Sequence, residues 1–72
     1  MAFEVRSEMA GIVETIEKGV GDSVAEGDEV IILSSMKMEI PVEAPVAGRI
    51  AVMHVEAGQS IGEQHLLFSI DT

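Results

Sequence analysis

Gly48-Arg49-Ile50-Ala51-Val52-Met53-His54-Val55-Glu56-Ala57-Gly58-Gln59-Ser60-Ile61-Gly62-Glu63-Gln64-His65-Leu66-Leu67-Phe68-Ser69-Ile70 decides the fold, because it repeats Gly11 to Leu33 at a constant offset of 37 residues. Gly48 falls on Gly11, Gly58 on Gly21, Ser60 on Ser23 and Glu63 on Glu26. Apolar positions keep step: Ile50 with Val13, Ile61 with Val24, Leu67 with Val30, Phe68 with Ile31 and Ile70 with Leu33. Glycines and apolar residues held in one register are what a duplicated β-unit retains.

The offset also pairs Ile40 with Phe3 and Val42 with Val5, and it carries Lys37 to positions just outside the 72 residues. Residues 1–72 are therefore read as a single domain whose halves, about 1–36 and 38–72, are related by a pseudo-two-fold axis. Lys37 lies at the seam. Its spatial counterpart is the gap between the termini, so the lysine is expected at one end of the molecule and the termini at the other.

Glycines at 11, 19, 21, 27, 48, 58 and 62, with Pro41 and Pro45, leave few windows long enough for an ordinary helix. The pattern predicts short strands joined by frequent turns. These are expected at Phe3–Ser7, Gly11–Ile16, Ser23–Val24, Glu29–Ser35, Met38–Ala44, Gly48–Val52, Ser60–Ile61 and Leu66–Ile70, four per repeat. Gly11, Gly21, Gly48 and Gly58 are read as structural turn positions. The unalternating run Val30-Ile31-Ile32-Leu33 suits a strand covered on both sides or one at the corner of a flattened barrel. Pro41 belongs at a strand edge or bulge, since it has no amide to donate. Ala44-Pro45-Val46-Ala47-Gly48 crosses into the second repeat, and Ser7-Glu8-Met9-Ala10-Gly11 makes the matching bend without proline.

Composition narrows the function. Thirteen acidic against four basic residues give a net charge of −9, which opposes binding to phosphate backbones and anionic membranes. With two Phe and no Trp or Tyr there is no aromatic platform on which nucleobases could stack. Nucleic acid and membrane are not expected partners. The absence of cysteine removes disulfides and thiolate metal sites, so packing alone must stabilise so small a domain. No basic-then-apolar leader opens the chain and no apolar run approaches a membrane span, so a soluble, cytoplasmic protein is expected.

The tip residues depart from turn chemistry. Ser35-Met36-Lys37-Met38 must connect two strands tightly, yet it holds no Gly, Asn, Asp or Pro. Two-residue hairpin turns need positive φ, for which Asn-Gly or Asp-Gly is the low-strain choice. Local rules are broken most often where function takes precedence, and methionines beside the lysine offer adaptable contacts to another protein.

Other constellations are weak. His54 and His65 lack a third ligand, so no metal site is expected. Gly19-Val20-Gly21 lacks the third glycine of a dinucleotide-binding loop. Ser34 and Ser35 have no nucleophile elbow and no neighbouring histidine. No pair of general acid and base can be named. Lys18 lacks flanking methionines and is read as plain surface, while Met9 and Met53 are read as core filler.

At Ser35-Met36-Lys37-Met38-Glu39, Ala44-Pro45-Val46-Ala47-Gly48-Arg49-Ile50 and Gly58-Gln59-Ser60-Ile61 with Gly21-Asp22-Ser23-Val24, the chain resembles the biotinyl/lipoyl carrier domains, specifically the biotin carboxyl carrier type. Met-Lys-Met is the biotin-type motif, whereas lipoyl carriers usually show Asp-Lys-Ala. The resemblance implies an all-β fold, a flattened eight-stranded barrel or sandwich of two four-stranded antiparallel sheets. It also implies that a biotin protein ligase joins biotin to Lys37 Nζ through an amide, with Ser35, Met36, Met38 and Glu39 as the residues the ligase reads. The implied role is a carrier and not an enzyme: a protein or subunit, monomeric on its own, that moves carboxybiotin between biotin carboxylase and carboxyltransferase sites of a carboxylase, decarboxylase or transcarboxylase. The alternatives are a lipoyl or dual carrier bearing lipoate, or an unmodified β-barrel interaction module. Two departures stand out. Biotin carriers often have a carboxylate three residues before the lysine, where this chain has Ser34. The segment Glu17-Lys18-Gly19-Val20-Gly21 leaves no room for the inserted thumb of some bacterial carriers, so the likeness is to the thumbless kind.

Overall fold

A computed structural model describes residues 2–72, and among these there are eight strands and no helix. In chain order they are β1 (Ala2–Arg6), β2 (Gly11–Ile16), β3 (Ser23–Val24), β4 (Glu29–Ser35), β5 (Met38–Glu43), β6 (Gly48–Met53), β7 (Ser60–Ile61) and β8 (Leu66–Asp71). They form two four-stranded antiparallel sheets, ordered β1-β8-β6-β3 and β5-β4-β2-β7. Each sheet takes two strands from each half of the chain. The body measures 33 × 17 × 17 Å.

The 37-residue offset governs the hydrogen bonding as well as the sequence. Val5 faces Phe68 and Phe3 faces Ile70 in one sheet, while Val42 faces Ile31 and Ile40 faces Leu33 in the other. Gly21 N donates to Ile50 O at 2.8 Å, and Gly58 N donates to Val13 O at 2.6 Å. Gly27 N donates to Ala44 O, and Gln64 N donates to Ser7 O, both at 2.8 Å. The turns of each half are thus clamped by backbone of the other half.

Four register shifts follow the same rule. Glu14 is the extra residue between Val13↔Leu33 and Thr15↔Ile32, and Ala51 is the extra residue between Ile50↔Ile70 and Val52↔Ser69. Val30 is skipped between Glu29↔Glu43 and Ile31↔Val42, as Leu67 is between Arg6↔Leu66 and Val5↔Phe68. A bulge bends its strand and lets neighbouring side chains share one face. That is why Val30-Ile31 and Leu67-Phe68 are consecutive yet fully buried. The unalternating run therefore marks the corner of a flattened barrel.

These residues join Val13, Leu33, Ile50, Ile61 and Ile70 in one core. Ile16, Val42, Val46 and Met53 pack against it from the rim. Two glycines serve close approach and not a turn. Gly11 and Gly48, read as turn positions from the sequence, are the first residues of β2 and β6. A Cβ on Gly11 would stand 2.8 Å from Ser34 O, and one on Gly48 would stand 2.6 Å from Asp71 O. Gly21 and Gly58 do lie in turns, with φ of 92° and 91°.

The strand path fixes the two ends of the barrel. From the lysine hairpin β5 runs to Ala44, whose N–H donates to Asp28 O just before β4 begins. The chain then reaches Gly48, packed against Asp71 beside Ala2. Ala2 and Asp71 thus sit where the repeat places Glu39 and Ser34, at the pole away from Lys37.

Candidate functional site

Lys37 occupies a two-residue turn between β4 and β5, closed by the pairing of Ser35 with Met38. Met36 has φ 50° and Lys37 φ 68°. Positive φ at both central residues makes the right-handed hairpin twist, which normally selects Asn-Gly. A side chain held there costs about 1 kcal/mol or more per residue. Replacing Met36-Lys37 by Asn-Gly is therefore expected to raise thermal stability, by about 1 kcal/mol or more on relief of that strain, while removing the amine. A large fall in melting temperature would show that Met36-Lys37 was selected for folding.

The tip is open to solvent. Met36 is 92% exposed and Met38 62%, and Lys37 is exposed between them. Ser34 and Ser35 are half-buried at the end of β4, and Glu39 is exposed at the start of β5. The structure thus groups Ser35, Met36, Lys37, Met38 and Glu39 on one hairpin. Gly11 lies beneath its base, against Ser34 and Ser35. Gly21, Gly48 and Gly58 belong to the scaffold.

Two features escape a linear reading, one at the hairpin and one in the scaffold. Ser34 faces Glu39 directly across the β4–β5 pair, so a carboxylate stands beside the place where the sequence shows serine. The Glu14 carboxyl is held above the ordinary carboxylate range by a hydrogen bond shared with Glu39 and by their mutual repulsion. The folded chain then holds that proton more tightly than the unfolded chain, so stability falls as pH rises through the raised range. Glu14 is the bulged residue of β2, and nothing in the sequence marks that bulge. The second feature is Ser7, fully buried, whose hydroxyl donates to Met9 O at 2.5 Å and accepts from Met9 N at 3.3 Å. This bracket fixes the bend that Pro45 stiffens in the other half. The offset that sets Ser7 against Ala44, just before proline, was the available signal.

The remaining candidates stay apart from the tip. His65 Nδ1 lies 2.9 Å from Leu66 O, and His54 Nε2 lies 3.5 Å from Ser69 Oγ. Among the described residues no three His, Cys, Asp or Glu side chains converge as a metal site. Met9 is half-buried, and Met53 is half-buried against the core. Lys18 is half-buried, with its N–H directed to Val30 O. A cleft of about 560 Å³ opens beside edge strands β1 and β5, lined by Phe3, Val5, Leu33, Ile40 and Val42 among others.

Residues 3–70 match the family model described as "Biotin-requiring enzyme". The chain is 43% identical over 61 residues to the biotinylated protein TB7.3 homolog of Mycobacterium leprae, covering 85% of this chain and 86% of that one. It is 36% identical over 67 residues to the mitochondrial propionyl-CoA carboxylase alpha chain of Homo sapiens, covering 93% of this chain but only 9% of that one. The crystal structure of Kluyveromyces lactis urea carboxylase superimposes with a TM-score of 0.92 at 31% identity, over 99% of this chain and 6% of that one. The exposed lysine of a two-fold β-barrel and these three likenesses agree, and the chain belongs to the biotin/lipoyl domain family, whose members carry a cofactor and do not themselves catalyse.

Proposed function

We propose that this chain is a biotin carboxyl carrier, with biotin held as an amide on Lys37 Nζ. The observation that carries the reading is the strained, exposed Met36-Lys37-Met38 tip in a chain of this family. An amine on a solvent-facing turn can enter another enzyme's active site, which a lysine lying along a strand cannot. In the ligase step the neutral Nζ attacks the carbonyl of biotinyl-adenylate, the C–N bond forms, AMP leaves and Nζ loses a proton. Ser35, Met36, Met38 and Glu39 are the contacts the ligase reads.

Once attached, biotin supplies a ureido nitrogen that accepts and releases a carboxyl group. The chain supplies a rigid body and an exposed arm. The partners are a biotin protein ligase and the biotin carboxylase and carboxyltransferase sites of a biotin-dependent enzyme. Tethering keeps the cofactor concentrated at both sites without tight binding to either. A net charge of −9 disfavours self-association and steers the carrier toward basic partner surfaces, consistent with a monomer. A cytoplasmic location is proposed on the absence of cysteine.

Incubation with biotin, ATP and a biotin protein ligase is expected to add the mass of one biotinyl group. Protein isolated from its native host with a lipoyl mass, or with no addition in either setting, would overturn the reading in favour of a lipoyl carrier or an unmodified module.

A further inference from the structure

We infer that Met36 and Met38 form an oxidation-sensitive site, at which conversion of the two thioethers to sulfoxides blocks loading of Lys37 and reduction restores it. The inference rests on the carrier reading for its consequence, but the site itself rests on geometry. The two-residue turn, with positive φ at Met36 and Lys37, presents both thioethers to solvent, Met36 92% and Met38 62% exposed. Met9 and Met53 are shielded by comparison: Met9 is half-buried with its backbone tied to Ser7, and Met53 packs against the core. Met1 lies outside the described residues.

The chemistry needs only a peroxide. The sulfur lone pair attacks one peroxide oxygen, the O–O bond breaks, an S–O bond forms, and hydrogen peroxide leaves as water. Each sulfur loses two electrons, and the peroxide gains them. No charge is added, so the effect is local: a polarisable apolar contact becomes a polar, chiral one. Neither tip methionine belongs to the core, so the fold survives the change. The residues that make the tip adaptable to a partner are thus the ones an oxidant reaches first.

Hydrogen peroxide treatment followed by peptide mass mapping should show Met36 and Met38 oxidised several-fold faster than Met9 and Met53. Oxidised protein should then accept biotin from the ligase roughly tenfold more slowly, the scale of losing a central recognition contact. Methionine sulfoxide reductases should restore the rate, and the melting curve should not move. A variant carrying Met36→Leu and Met38→Leu keeps apolar side chains without sulfur, so its loading should be indifferent to peroxide whatever its basal rate. Equal oxidation of all four methionines, or unchanged loading of protein shown by mass to carry both sulfoxides, would overturn the inference. Failure of untreated protein to load would instead sink the carrier reading, and with it the effect on loading, while the order of oxidation is still read from the map.

Discussion

Lys37→Arg protein is expected to take up no biotin from ligase, ATP and biotin, to give no streptavidin signal, and to melt where the parent melts. Arginine keeps the positive charge and the length of the side chain, and at an exposed turn it disturbs no packing. What it removes is nucleophilicity, because a guanidinium stays protonated under conditions where an amine can lose its proton. Lys18 provides the internal control. It is the only other lysine, it is half-buried, and it lies in a bend with no methionine on either side. If Lys37→Arg protein still gained a biotinyl group, now on Lys18, the assignment of the tip as the attachment site would be wrong.

The largest expected effect on stability is at Phe68. Its ring is fully buried in β8, a central strand, with Val5 facing it on one side and Met53 on the other. Removing a buried ring costs about 3–5 kcal/mol in lost transfer energy and cavity formation. At roughly 0.05–0.15 kcal/mol per residue, a domain of this length has only about 4–11 kcal/mol in total. Phe68→Ala is thus expected to leave a protein largely or marginally unfolded at 37 °C, read by circular dichroism and denaturant midpoint. Phe68→Ile copies the first half of the chain, where Ile31 holds the equivalent place, and should lose much less. Equal losses for the alanine and isoleucine variants would show that the two halves do not build their cores alike. Phe3, the other phenylalanine, is 43% exposed, and truncating it should cost far less than truncating Phe68.

The architecture was legible because its main signals are periodic. Glycines and apolar residues repeating at 37 positions placed all eight strands, with β2, β3, β4 and β7 as expected, β5, β6 and β8 differing by one residue at their C-terminal ends, and β1 displaced by one residue at both ends. The shifts have local causes. Ser7 leaves β1 because its hydroxyl turns back onto Met9, and Ala44 leaves β5 to bond Gly27 and Asp28. The bulges were not legible, since neither Glu14 nor Val30 is a residue type that marks one. Gly11 and Gly48 were legible as required glycines but not for the right reason, because crowding by a neighbouring strand leaves no trace in the local sequence. Gln64 shows the opposite case: its φ of 66° follows from the offset to Gly27, though glutamine itself announces nothing.

At the site, the lysine and its methionines were visible as a turn that lacks turn residues. The carboxylates around Ser34 were not, because Glu39 and Glu14 approach from strands on either side of β4, and only the pairing register brings them together.

The sheet assignment of the hairpin has a mechanical consequence. Ala2 and Asp71 are paired in the β1–β8 sheet, whereas Lys37 is borne by β4 and β5 of the other sheet. Parting Ala2 from Asp71 therefore peels β1 from β8 one pair at a time, beginning at the pole away from the hairpin. The β4–β5 pairs that hold the hairpin belong to the other sheet and lie at the other pole, so they are not among the first to part. Fraying at one end of the barrel can thus leave the lysine turn at the other end in shape.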